Sequence, residues 1–151
     1  MTGSTYLDHA ASSPVLPEAA AAMAAELGRP GNPSSLHAAG RGARRALEEA
    51  RESLAADLGA RPAEVVFTSG GTEANNLALL GARAEGRGEV AVSAIEHPSV
   101  AAVRQRLAEV AVLPVHETGH LDLDRATGLL GRRTGLVSVM WVNNETGAVQ
   151  P

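Results

Sequence analysis

The chain has 151 residues, 44% of them hydrophobic and 20% charged, and a formal net charge of −4. That is one domain's length, enough to bury a core, and the acidic balance without any arginine run argues against a nucleic-acid partner. No cysteine is present, which excludes disulfides, a thiolate metal site and a cysteine nucleophile within these residues; lysine is absent too, since all 13 basic residues are arginine.

Residues 6–8 form a short extended piece before the turn-prone Ser12-Ser13-Pro14. Pro17 suits a first helical turn, and a helix is predicted from it through Leu27. Residues 28–33, rich in glycine and proline, read as irregular. Ser34-Ser35 is expected to cap a long helix. Its apolar stripe, from Leu36 through Ala39, Ala43, Leu47 and Leu54 to Leu58, follows helical spacing, and Gly59 with Pro62 ends it. Strands and helices then alternate: strand 65–68, helix 72–85, strand 90–93, helix 98–107 with Pro98 in its first turn, and strand 110–115. A loop 116–120, a helix from Asp124 to about Leu130, a strand 136–142 and a polar turn 143–147 complete the chain. The alternation predicts an α/β fold with a mostly parallel sheet and flanking helices. Strand 136–142 is apolar throughout and reads as central; without strands beyond it, it would expose an edge and an apolar face. The pairs Arg44-Arg45 and Arg132-Arg133 read as solvated helix faces.

No apolar run approaches the ~20 residues of a membrane span. Met1-Thr2-Gly3-Ser4 carries neither the basic residue nor the apolar core of a signal peptide, so the cytoplasm is the expected compartment.

In open α/β sheets, ligands gather beyond the carboxyl ends of strands. Three polar clusters follow strands here, at 69–76, 94–99 and 143–147. In the first, a glycine pair joins an extended run to a helix, where free N–H groups and the helix dipole favour an anion. Gly71 and Thr72 read either as a phosphate cradle, with the Thr72 hydroxyl as a further donor, or as a tight turn capped by Thr72. The junction lacks both the Gly-Lys-Ser/Thr ending of a Walker loop and the Gly-x-Gly-x-x-Gly pattern. His97, in Glu96-His97-Pro98, reads either as a surface cap or as an imidazole that stacks on a flat ring or moves a proton. In Asn143-Asn144-Glu145 the asparagines either form a turn or hydrogen-bond a ligand's phenolate. His116-Glu117-Thr118-Gly119-His120 matches His-Glu-x-x-His, which holds zinc only on a helix. Following a strand and containing Thr and Gly, it is expected to be an exposed loop, and no metal site is expected.

Together the clusters resemble the pyridoxal-phosphate-dependent cysteine desulfurases of the NifS-like group, within the class V aminotransferase superfamily. The matching segments are Tyr6-Leu7-Asp8-His9-Ala10-Ala11-Ser12-Ser13-Pro14-Val15, Gly31-Asn32-Pro33-Ser34-Ser35-Leu36-His37, residues 67–79, Glu96-His97-Pro98-Ser99-Val100 and residues 137–147. They lie in order along the whole chain but correspond to the N-terminal portion of a family member.

The resemblance implies the large domain of pyridoxal-phosphate fold type I, incomplete over residues 1–151, with residues 1–30 packing toward the small domain. It implies that Gly71 and Thr72 hold the cofactor phosphate, that His97 lies over the pyridine ring and takes part in proton transfer, and that Asn144 approaches the phenolic oxygen. It also implies a homodimer that removes sulfur from L-cysteine, leaving L-alanine and a persulfide on an enzyme cysteine. The sulfur then passes to an acceptor or scaffold protein of iron–sulfur cluster or thiolation pathways. Pyridoxal chemistry needs an anchored phosphate, a ring held from its face and a tuned phenolate, and the three clusters match those needs. The family places the acid that pairs the pyridine nitrogen, the Schiff-base lysine and the persulfide cysteine further along, so residues 1–151 alone are expected to be inactive. His9 and Ser12-Ser13 stand where many relatives carry Asn and Thr-Thr, with no change of function expected. A selenocysteine lyase, a C–S lyase of the same superfamily and a non-catalytic truncated fragment are the alternative readings.

Overall fold

The computed structural model describes residues 4–107 and 109–151. They divide after Phe67 into two compact units.

In the first unit, Pro17 opens α1 (Pro17–Leu27), where its missing N–H is not needed and its fixed φ suits the turn. α1 buries no residue. α2 (Ala38–Leu58) ends as predicted at Gly59, in the left-handed region with φ 64°, and the Ala60 N–H reaches back to the Ala55 carbonyl at 2.8 Å. Its start differs from the expectation, because Ser34-Ser35 do not cap it. Asn32 takes the Ser34 N–H on its side chain and the Ser35 N–H on its carbonyl, both at 2.9 Å, so the chain turns before the helix. His37 then caps α2, its Nδ1 accepting from the Gly40 N–H at 3.3 Å. The turn lies against α2 because position 40 has no side chain: a Cβ there would come within 2.6 Å of Ser35 Cβ and 2.8 Å of the Asn32 carbonyl oxygen. Residues 65–68, expected as a strand, are extended but have no ladder partner among the described residues. Arg51 of α2 anchors this stretch instead, donating to the Val65 carbonyl and lying 4.9 Å from the centroid of the Phe67 ring.

The second unit runs α3 (Gly71–Ala84), β1 (Glu89–Ser93), α4 (Pro98–Arg104), β2 (Val110–Leu113), α5 (Leu123–Leu129) and β3 (Thr134–Ser138). The strands are parallel in the order β2-β1-β3, with helices flanking them, as the alternation predicts. Alternate residues of β1 serve two cores. Val90 and Val92 pack with Leu79 of α3 and with Val100 and Val103 of α4; Ala91 packs with Leu113 and with Ala126 of α5. β1 is therefore the middle strand of these three, and the run at 136–142 presents the edge and apolar face expected of it where no strand lies beyond it among the described residues. β3 lies at the sheet edge, with Val137 44% exposed.

β3 also stops at Ser138, because the Met140 N–H turns to the Glu96 carboxylate and Val142 pairs antiparallel with Val149. β2 stops short of Val115, which bridges to Leu121 instead, and α4 closes at Arg104 rather than at residue 107. Asp122 caps α5, its side chain accepting from the Arg125 N–H at 3.0 Å, so that helix starts just before Asp124. Arg132 and Arg133 stand on the turn into β3 rather than on a helix face, with Arg133 paired to Glu89. No helix among the described residues is long and apolar enough to cross a membrane.

Candidate active site

α3 begins after Gly70, whose φ of 156° and ψ of 178° only glycine adopts freely. No side chain caps this helix, so its first-turn N–H groups, those of Gly71 and Thr72 among them, are left for a ligand or solvent. A Cβ built on Gly70 or Gly71 would meet nothing within 4 Å, so the space beside the turn is open. Glu73 is tied back: its Oε2 accepts from the Ser69 N–H at 2.6 Å and from the Ser69 hydroxyl at 2.7 Å. The hydroxyl bond first, and the backbone bond second, hold its carboxyl below the usual carboxylate range. Asn76 Nδ2 donates to the Thr72 carbonyl at 2.7 Å, while the Thr72 hydroxyl has no protein partner among the described residues.

His97 caps α4. Its Nδ1 accepts from the Ser99 N–H at 3.1 Å and lies 2.8 Å from Ser99 Oγ, while the ring remains exposed. Thr72 and His97 line one shallow groove together with Asn76, Ser99 and Arg106. The fold thus brings these two candidates together.

Asn144 stands apart from that groove; it is exposed, and its Nδ2 donates to Glu145 Oε1 at 2.9 Å. Its neighbour Asn143 is buried and organises the turn. Asn143 Oδ1 accepts from the N–H groups of Glu145 and Thr146 at 3.0 and 2.9 Å and from the Thr146 hydroxyl at 3.1 Å. Its Nδ2 donates to the Ile95 carbonyl at 3.1 Å.

Glu96 has a role that sequence reasoning missed. Its Oε1 accepts from the Ser93 hydroxyl and from the Met140 N–H, both at 2.7 Å, and its Oε2 accepts from the Ser138 hydroxyl at 3.3 Å. One carboxylate thereby clamps the carboxyl ends of β1 and β3. The sequence signal was slight: a serine ending each of two apolar strands. The three clusters meet at this end of the sheet. Asn75 Nδ2 to Ser99 Oγ, at 2.8 Å, joins the first to the second, and the Asn143 bond to Ile95 joins the third.

Residues 116–120 form a reverse turn, as expected. Gly119 has φ 82°, its N–H donates to the His116 carbonyl at 2.9 Å, and the His116 N–H donates to the His120 carbonyl at 2.8 Å. The two histidines therefore do not share a helical face. Uncapped N–H groups, an unpartnered hydroxyl and open space at the start of α3 fit a phosphate group, and the exposed imidazole of His97 fits a flat ring beside it.

The sequence matches the family model described as aminotransferase class-V over residues 5–151. An IscS-like cysteine desulfurase of Mycobacterium tuberculosis is 45% identical over 159 residues, covering 97% of this chain and 40% of its own length. Among solved structures, the NifS-like protein of Rickettsia africae matches with a TM-score of 0.83 at 32% identity, over 96% of this chain and 41% of that one. A structure described as SspA in complex with cysteine matches with a TM-score of 0.87 at 34% identity, over 98% of this chain and 45% of that one. The chain spans about two-fifths of the length of the curated relatives it matches.

Proposed function

The chain belongs to the class-V aminotransferase family, and on that premise we propose that it is part of a cysteine desulfurase: the part that receives pyridoxal 5′-phosphate by its phosphate and one face of its ring. The meeting of Thr72 and His97 in one groove at the carboxyl ends of the strands carries this reading. Gly71 and Thr72 would hold the phosphate through their N–H groups and the Thr72 hydroxyl, where the α3 dipole favours an anion. His97 would lie against the ring and keep a nitrogen available to hold or move a proton. Asn144 would reach the phenolic oxygen once released from Glu145.

When bound, pyridoxal phosphate supplies the electron sink for reaction at the α-carbon of an amino acid. The residues of this chain anchor and orient. Neither lysine nor cysteine occurs among them, so the amine that carries the cofactor and the thiol that carries the sulfur come from outside residues 1–151. L-Cysteine as the substrate is supported by the relative named a cysteine desulfurase and by the related structure described as a complex with cysteine. A cytoplasmic homodimer that hands persulfide sulfur to an acceptor or scaffold protein completes the reading. The apolar residues that α1 leaves bare, Met23 at 62% and Leu27 at 84% exposure, support the packing of residues 1–30 toward a small domain.

The test is a desulfurase assay on the protein encoded by the whole reading frame that contains residues 1–151. L-Cysteine should give L-alanine and persulfide sulfur one for one, in dependence on pyridoxal phosphate, and residues 1–151 alone should give none. Turnover by the isolated 1–151 polypeptide would refute the assignment, as would activity of the full protein on L-selenocysteine but not on L-cysteine.

A further inference from the structure

His97 is held through a single ring nitrogen. Its Nδ1 accepts from the Ser99 N–H at 3.1 Å and faces Ser99 Oγ at 2.8 Å. Ser99 Oγ in turn accepts from Asn75 Nδ2 at 2.8 Å. A serine hydroxyl has one proton to give. The Ser99 N–H can only donate, so Nδ1 is an acceptor, and the hydroxyl 2.8 Å away gives its proton to Nδ1 while its oxygen takes the Asn75 donor. Nδ1 then accepts from two donors, and the neutral ring carries its own proton on Nε2. Ser99 is only 8% exposed, so water competes poorly for its hydroxyl. Asn75 lies on α3 and does not line the groove shared by Thr72 and His97. The hydrogen-bond chain therefore runs from the body of α3 to the ring at the start of α4.

We propose that Ser99, oriented by Asn75, is a positioning residue that fixes His97 as the Nε2–H tautomer and sets its ring relative to the N-terminus of α3; that this ring meets a cofactor rests on the reading above. The Ser99 backbone N–H by itself gives Nδ1 one long hydrogen bond. The hydroxyl supplies the second and shorter one, and Asn75, donating to the oxygen, keeps the hydroxyl proton from turning away toward α3.

The imidazole nitrogens of the full chain report this directly, through long-range proton–nitrogen correlation spectra without added pyridoxal phosphate, at about pH 9, where an ordinary imidazole is neutral. The unmodified protein should show one His97 species, protonated on Nε2. Ser99→Ala should add a second species protonated on Nδ1, and Ser99→Thr, which keeps the hydroxyl, should restore the single one. Asn75→Asp keeps the side-chain shape but removes the donor; its carboxylate draws the Ser99 proton away, so this variant should reproduce Ser99→Ala. A His97 spectrum unchanged in both Ser99→Ala and Asn75→Asp would overturn the proposal, and so would a Ser99→Thr variant that behaves as Ser99→Ala. Neither cofactor nor substrate is present, so such a failure would leave the desulfurase reading intact. A failed desulfurase assay would likewise leave the tautomer result standing.

Discussion

Replacing Glu96 with alanine takes the acceptor from three donors at once: the Ser93 hydroxyl at 2.7 Å, the Met140 N–H at 2.7 Å and the Ser138 hydroxyl at 3.3 Å. Ser93 is 3% exposed, so its hydroxyl has little access to water once the carboxylate is gone. A buried donor left without a partner costs about 1–3 kcal/mol. The long bond from Ser138 adds little, and Glu96 is itself half-buried, so water recovers part of the loss. We therefore expect Glu96→Ala to destabilise the protein by about 3 kcal/mol and Glu96→Gln by about 1 kcal/mol. The amide oxygen of glutamine keeps both short bonds, and its NH2 can donate to the Ser138 hydroxyl, which accepts as readily as it donates. Urea unfolding of the full protein measures the total. Hydrogen exchange at the Met140 amide measures the clamp locally and should accelerate about 100-fold in the alanine variant. An alanine variant within about 0.5 kcal/mol of the unmodified protein, with Met140 exchange unchanged, would refute the idea that this carboxylate joins the ends of β1 and β3.

Other consequences can be checked separately. Thr72→Val should weaken pyridoxal phosphate binding about 10- to 150-fold, through loss of one hydrogen bond to a charged group worth about 1.5–3 kcal/mol; equilibrium dialysis should show no change for pyridoxal, which lacks the phosphate. Gly40→Ala places a Cβ within 2.6 Å of Ser35 Cβ and 2.8 Å of the Asn32 oxygen, so the turn must open and the urea midpoint should fall by the equivalent of about 1–3 kcal/mol. The Glu73 carboxyl is held below its ordinary range by the Ser69 hydroxyl and then by the Ser69 backbone N–H. Its contribution to stability is therefore present above the unfolded glutamate value and is lost as the pH falls through the lower folded value. The urea midpoint should drop on acidification below about pH 4.3, and less steeply in Ser69→Ala; superimposable pH profiles would show that Ser69 does not hold Glu73.

Helix ends were legible wherever one residue decides them. Pro17 opens α1, Gly59 closes α2 and Pro98 opens α4, each through its own backbone preference. The parallel sheet was legible too, because strands separated by helices return by crossovers. Strand length was not. Residues 65–68 and 139–142 have strand composition, but a strand exists only where another pairs with it. The cap of α2 went to His37 rather than Ser34-Ser35 because the Asn32 turn and the close approach at Gly40 place the helix start further along. Asn143 and Asn144 are chemically identical neighbours, and only the path of the backbone buries one and exposes the other.

The sequence by itself determined which chemistry residues 1–151 do not supply, since without lysine or cysteine their side chains offer neither an amine nor a thiol. It also pointed to the free N–H groups at the start of α3, because the glycines ahead of that helix have no side chain with which to cap them. Only the tertiary structure decided which polar groups face one another. The Asn75–Ser99 bond spans 24 positions and the Asn143–Ile95 bond 48. Bonds of that reach depend on α3 and α4 packing on the same face of β1 and on the register of β1 against β3, distances that no local pattern in the chain encodes.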